Sequence, residues 1–109
     1  MARMNERGDT TPRPGTLMMT KFKNAVARLD PSLDASTIKN IRINGQPRGC
    51  SGFIVNPANG KIVYVNTEQG SQNRGALYRT AKTTKDYTGG HNNFADNDDL
   101  AQKVVELLS

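Results

Sequence analysis

The stretch from Arg79 to Asn93 holds the densest set of side chains in this sequence that could bind a ligand. It combines cations, hydroxyls and amides with the pair Gly89–Gly90, which would let backbone N–H groups approach a ligand closely. Such groups hold phosphate oxygens and the edges of nucleic acid bases. We therefore predict that a partner is contacted here, by Arg79, Lys82, Thr83, Thr84, Lys85, Tyr87, His91 and Asn92.

Further basic residues, spread along the chain before this stretch, are predicted to extend the same surface. Lys61 belongs to a predicted turn in which Asn56 and Asn59 also offer polar groups to a partner. Neither common phosphate-loop spacing, G-x-x-x-x-G-K-[ST] or G-x-G-x-x-G, occurs in the sequence, so this prediction rests on residue types and charge. The additional residues are Arg42, Arg48, Lys61 and Arg74.

Catalytic and metal-binding constellations are not predicted from this sequence. Cys50 and His91 are each the only residue of their type, and nucleophilic catalysis needs a nucleophile with an activating partner. The acidic cluster around Asp98 resembles the start of a calcium loop but lacks its glycine and its closing glutamate. Carboxylates in the first turn of a helix explain that cluster better. We therefore expect a protein that is not an enzyme and has no cofactor.

Charge is unevenly distributed along the chain, whose net charge is +5. Residues 21–85 contain eleven Lys or Arg against three acidic residues, whereas residues 86–109 contain one Lys against five. A strongly basic region attracts polyanions over a long range. The partner is therefore predicted to be nucleic acid or an acidic surface of a host protein.

Two helices are predicted at the ends of the structured region. Apolar residues at helical spacing favour a first helix over Leu17–Leu29, capped by Thr16 and ended by Asp30 and Pro31. A second helix follows Phe94. The predicted cap of the second helix is Asp96 or Asn97, and its predicted buried stripe is Leu100, Val104, Leu107 and Leu108.

Several short strands are predicted between these helices. A strand over Ile38–Ile43 precedes turn residues 44–47, and a β-hairpin joins Gly52–Val55 to Ile62–Val65. Another strand is predicted over Ala76–Ala81, and residues 82–93 are predicted to be a loop. Because the hairpin strands are apolar at consecutive positions, both faces of the sheet must be covered. The helices could cover one face each, or share one face and leave the other for a partner or a homodimer contact.

The predicted fold is therefore α+β. It has a small antiparallel sheet of three to four strands with a central β-hairpin, and the N-terminal and C-terminal helices pack on it. Residues 17–109 are expected to form one domain, and residues 1–16 a flexible tail. The longest apolar run, Ile62–Val65, is far too short to span a membrane. A single cysteine excludes an internal disulfide framework, so we expect a cytoplasmic protein.

The function predicted from these features is that of a small, basic, non-catalytic binding protein. It would contact nucleic acid, or a protein–nucleic-acid complex, through the 79–93 loop and the hairpin. One alternative is a protein antagonist of the kind that phages and other mobile elements encode, such as an anti-CRISPR-like inhibitor or adaptor that binds a host protein. A small enzyme is the second alternative.

Overall fold

The computed structural model describes residues 18–67, 76–86 and 91–109, apart from the side chain of Pro47. The predicted tail lies outside these ranges, and so do Arg74 and Tyr87 of the predicted site. The described residues form α1 (Met19–Leu29), β1 (Lys39–Ile43), β2 (Gln46–Val55), β3 (Ile62–Asn66), β4 (Ala76–Ala81), β5 (Asn93–Ala95) and α2 (Asn97–Leu108).

Helix α1 begins two residues later than the sequence predicts. Its N-cap is Met18, without a side-chain capping bond, so the predicted Thr16 cap is wrong. The predicted end is confirmed, because Asp30 is the C-cap and donates its backbone N–H to the Val26 carbonyl at 2.8 Å. Leu29 is 52% exposed and therefore does not belong to the buried stripe of this helix. Helix α2 has the predicted Asp96 as its N-cap.

The strands form one antiparallel sheet in the order β1-β2-β3-β4-β5. The α+β class and the central hairpin, here β2 with β3, are confirmed, and β4 has the predicted bounds. The described sheet has five strands rather than three or four. The additional strand, β5, pairs with only three residues of β4, so its short sequence gives almost no alternating pattern from which a strand could be predicted. Strand β2 is also longer than predicted: residues 46–51 pair with β1 and residues 51–55 with β3.

The chain segment before β1 lies against β2 at Gly52. The Thr37 hydroxyl donates to the Phe53 carbonyl at 2.8 Å and accepts the Phe53 N–H at 3.1 Å. A Cβ atom at Gly52 would lie 2.6 Å from the Thr37 carbonyl oxygen and 2.7 Å from the Ile38 Cα. A side chain at this position would push the segment away, so glycine is needed for β1 to pair with β2.

Both helices pack on the same face of the sheet, which settles a question that the sequence leaves open. Helix α1 lies on β2 and α2, while α2 lies on β3, β4 and β5. The core between helices and sheet consists of Phe22, Val26, Ile38, Cys50, Ile54, Val63, Val65, Ala76, Ala95, Leu100, Ala101, Val104 and Leu108.

The opposite face of the sheet has a smaller apolar cluster of Phe53, Tyr64 and Leu77. The Phe53 and Tyr64 rings are tilted against each other with their centroids 5.2 Å apart. None of the three residues is more than 8% exposed, so their side chains are already shielded within one chain. The predicted homodimer contact through this face stays a prediction, and these exposures do not require it.

Neither α1 nor α2, the two helices in the described part of the chain, is long and apolar enough to cross a membrane.

Candidate nucleic-acid interface

The predicted binding stretch after β4 begins with a compact turn at residues 82–86. The Asp86 N–H donates to the Thr83 carbonyl at 3.3 Å, and the Asp86 carboxylate accepts the Lys82 N–H at 3.1 Å. The Thr83 hydroxyl accepts the Lys85 N–H at 3.1 Å. These bonds fix the backbone while the side chains of Lys82, Thr83, Thr84 and Lys85 stay exposed. The turn therefore presents two ammonium groups, with one carboxylate close by.

Arg79, which the sequence predicts to contact a partner, is only 3% exposed, so its guanidinium is buried within the chain. Its guanidinium carbon lies 4.7 Å from the centroid of the Tyr64 ring, and its Nη1 donates to the Asp86 carbonyl at 3.3 Å. Leu77, Arg79 and Ala81 alternate along β4 and so share the face opposite the helices. Arg79 therefore holds the 82–86 turn against the sheet.

His91 and Asn92, at the far end of the same stretch, are both exposed. The neighbouring Asn93 fastens them to β4, because its side-chain amide donates to the carbonyls of His91 at 3.1 Å and Tyr78 at 3.4 Å. The two described ends of the 79–93 stretch are therefore both held to β4 by hydrogen bonds.

Lys61 and its neighbours bind to the end of helix α2. The side-chain amides of Asn56 and Asn59 donate to the Leu108 carbonyl at 2.8 and 3.0 Å. The Lys61 ammonium donates to the Ser109 backbone oxygen at 2.6 Å. The last carbonyls of a helix lack internal partners and carry partial negative charge, so three donors here stabilise α2. These residues, predicted to face a partner, are engaged within the chain.

Arg42 and Arg48 lie in a part of the molecule that we call the basic ribbon: β1 with residues 46–51 of β2. Asn44 and Gly45 form the turn between its strands, with φ values of 54° and 78°. Two successive residues with positive φ match the twist of a β-hairpin. The exposed residues of β1 are Lys39, Asn40, Arg42 and Ile43.

A β-bulge interrupts the pairing of the two ribbon strands at Arg48. Ile41 is opposite Gly49 but Arg42 is opposite Pro47, so Arg48 is the extra residue on β2. Bulges redirect side chains, and this one lies opposite the step from Ile41 to Arg42 on the neighbouring strand. Arg42 uses one donor, Nη1, on the Gly45 carbonyl at 3.2 Å. The Arg48 Nε is buried and has no hydrogen-bond partner in the described structure.

The predicted site residues therefore fall into two groups. Lys82 follows the end of β4, which lies level with Val55 at the end of β2 because both strand ends pair with Ile62 of β3. The ribbon turn lies at the opposite end of β2, just before Gln46. Nine residues of β2 separate these levels, which corresponds to roughly 30 Å of strand. The predicted residues thus do not form one compact patch. The ribbon also includes Lys39, Ile43 and Gln46, which the sequence does not single out, although the Asn44–Gly45 pair is a strong hairpin signal.

Charge is segregated in space as well as in sequence. Residues 18–55, which include α1 and the ribbon, contain six Lys or Arg and two Asp. Residues 96–109, which include α2, contain four acidic residues and one Lys. Because α1 lies on β2 and α2 lies on β3–β5, α1 with the ribbon forms a basic region and α2 an acidic one, while Lys61, Lys82 and Lys85 add cations next to β3 and β4.

The remaining candidates for chemistry are poorly placed for it. Cys50 is fully buried, and burial raises the pKa of its thiol to about 11. A neutral buried thiol is a poor nucleophile. In the described ranges, no three His, Cys, Asp or Glu side chains gather closely enough to hold a metal ion. A cleft of about 180 Å³ between α1 and the start of α2 is smaller than most ligand pockets.

Comparison with known proteins gives no match: no family model, no curated protein and no solved structure shows significant similarity to this chain.

Proposed function

We propose that this protein binds nucleic acid and that the basic ribbon is its main contact surface. The observation that supports this most directly is a hairpin that carries Arg42 on its exposed strand β1 and Arg48 as the extra residue of the bulge on β2. Arginine donors form a planar fork that matches phosphate oxygens and the guanine edge.

The segregation of charge supports the same proposal. A polyanion is attracted to the side with α1 and the ribbon and repelled by the acidic α2, which gives the encounter one preferred orientation. Lys21 and Arg28 are exposed on α1 and Lys39 is exposed on the ribbon. These cations widen the surface that a phosphate backbone would meet.

Lys82 and Lys85 form a secondary contact in this proposal. They are exposed, but they lie far from the ribbon turn, and the carboxylate of Asp86 belongs to the same turn. Lysine contacts to phosphate position a protein on nucleic acid and carry no sequence information.

A protein partner remains the second candidate, and one observation favours it. Ile43 is 44% exposed next to the cationic Arg42, and exposed apolar residues beside arginine are typical of protein interfaces. An antagonist of a host protein would use the same ribbon. The two candidates differ in how binding depends on salt.

The test is a salt titration of binding to fluorescent, random-sequence duplex DNA, followed by fluorescence anisotropy. If the ribbon and its surroundings contact about four phosphates, the logarithm of the binding constant should fall with the logarithm of salt with a slope of about −3 to −4. A folded protein that binds neither duplex nor single strands at low salt would contradict the proposal. A protein partner that is captured from nuclease-treated extract would then support the antagonist.

A further inference from the structure

We infer that the basic ribbon enters the major groove of double-stranded DNA and recognises base edges there. This inference rests on the proposed nucleic-acid binding and narrows it to one form of nucleic acid and one groove.

The dimensions of the ribbon fit the major groove. Its strands lie about 4.8 Å apart, as in any β-sheet, and the major groove of B-DNA, about 12 Å wide, admits a two-stranded ribbon. The minor groove, about 6 Å wide, is too narrow for two strands with their side chains. Duplex RNA is also disfavoured, because its major groove is deep and narrow. Exposure of four of the five β1 residues shows that the helices leave this strand accessible.

The residues that flank the ribbon turn suit an A·T base pair. Ile43 and Gln46 are paired across the strands immediately before and after the turn. An apolar side chain contacts the methyl group of thymine, and a glutamine amide forms two hydrogen bonds with adenine. Ile43 is exposed and belongs to neither described core cluster, which is expected of a residue that contacts a partner.

The arginines add a second type of base contact. Arg42 is exposed and keeps four of its five donors after bonding to Gly45. Arginine bound to O6 and N7 of guanine is the commonest specific contact in the major groove. The ribbon thus offers groups for adenine, thymine and guanine within one hairpin.

The aromatic side chains argue against single-stranded nucleic acid as the preferred ligand. Proteins that bind single strands stack the bases on exposed aromatic rings. Phe22, Phe53 and Tyr64 are buried, and Tyr78 and Phe94 are half-buried, so no described Phe or Tyr side chain is exposed. The described surface therefore has cations and an exposed hairpin but lacks a stacking platform.

The experiment begins with selection of bound duplexes from a pool with randomised centres. Binding is then measured for the selected duplex, for the same duplex methylated at guanine N7, and in the presence of the minor-groove ligand netropsin. We expect N7 methylation to weaken binding about tenfold, because it blocks a major-groove acceptor. Netropsin should change binding by less than about twofold, since it occupies the other groove.

Variants at the ribbon turn test the base contacts themselves. Ile43→Ser with Gln46→Ala should reduce the preference for the selected duplex over random duplex about tenfold. The matched control, Lys82→Ala with Lys85→Ala, should weaken binding to both duplexes by the same factor, because lysine contacts to phosphate are insensitive to sequence. Circular dichroism of each variant checks that the sheet is intact.

The outcomes separate this inference from the proposal on which it rests. Absence of any nucleic-acid binding would overturn both. Binding without sequence preference, binding that tolerates N7 methylation, or displacement by netropsin would overturn the groove assignment and leave nucleic-acid binding in place. Tighter binding to single strands than to the selected duplex would also contradict the groove assignment.

Discussion

Arg79 stands on β4 between Leu77 and Ala81, and its guanidinium lies over the Tyr64 ring while one nitrogen donates to the Asp86 carbonyl. Truncating it removes a cation–π contact and a charged hydrogen bond from a buried site. We expect Arg79→Ala to lower the free energy of unfolding by about 2–3 kcal/mol, measured by urea denaturation.

The matched control for this substitution is Lys82→Ala, three residues further on. Lys82 is exposed and its backbone, not its side chain, bonds to Asp86, so the change should cost less than about 0.5 kcal/mol. Equal effects of the two substitutions would contradict the burial of Arg79.

Because of Cys50, we expect the free energy of unfolding to depend on pH in the alkaline range. Burial raises the pKa of its thiol from 9.0 to about 11 in the folded chain. Between these values the unfolded chain loses this proton and the folded chain keeps it, so stability falls as pH rises. We expect the free energy of unfolding to fall by about 2 kcal/mol more in the wild type than in Cys50→Ala between pH 9 and 11, by urea denaturation. Identical pH profiles of the two proteins would contradict this assignment.

Side-chain environments at this scale were only partly predictable. The exposed state of Lys82 and Lys85 follows from a polar stretch rich in charge, and the structure confirms it. The burial of Arg79 depends on which alternate positions of β4 face away from the helices, and the sequence does not indicate which face the helices occupy. The binding of Lys61 to Ser109 joins residues far apart in the chain, for which a single sequence contains no signal.

At the scale of elements, side chains of the turn between β2 and β3 form hydrogen bonds with the C-terminal end of helix α2. Asn56 donates to the Leu108 carbonyl at 2.8 Å and accepts the Ala58 N–H at 2.9 Å, so both ends of its amide are used. Asn56→Asp replaces the donor with an acceptor and places negative charge at the negative end of the helix. We expect a loss of about 2 kcal/mol in the free energy of unfolding, measured by thermal or urea denaturation.

Asn24→Asp is the control for Asn56→Asp, because Asn24 is exposed in the middle of α1, away from a helix end. It adds the same charge and should cost less than about 0.5 kcal/mol. If both substitutions cost equally little, Asn56 does not cap α2.

Of the two ribbon strands, β1 is predictable from the sequence and the first half of β2 is not. The first strand and its turn residues are predictable, since Asn44–Gly45 follows an alternating Ile41–Ile43 pattern. Pro47, Gly49 and Gly52 argue against a strand over Gln46–Val55, because proline and glycine weaken strands. The bulge next to Pro47 and the close approach of Thr37 to Gly52 are the tertiary features that accommodate these residues.

At the scale of the whole molecule, the separation of a basic side from an acidic side determines how a partner would approach. Apolar runs in β2 and β3 predict that both faces of the sheet are covered, but they do not predict that both helices pack on the same face. That choice places α1 beside the ribbon and α2 away from it. The boundary in space differs from the charge boundary in the sequence near Asp86, because Lys61, Lys82 and Lys85 precede Asp86 but lie next to β3 and β4, on which α2 packs.

The central claim is that the ribbon, and not the 82–86 turn, is the main contact with nucleic acid. The most direct test compares Arg42→Ala with Arg48→Ala, combined in one protein, against Lys82→Ala with Lys85→Ala in another. Both proteins and the wild type are titrated with salt against the same random-sequence duplex. Thermal unfolding of each protein confirms that it is folded.

We expect the ribbon variant to bind about 100-fold more weakly than the wild type, with a salt slope that is smaller by about two units. The turn variant should bind within about threefold of the wild type, because its lysines are secondary contacts. A turn variant that loses binding while the ribbon variant binds like the wild type would contradict the account.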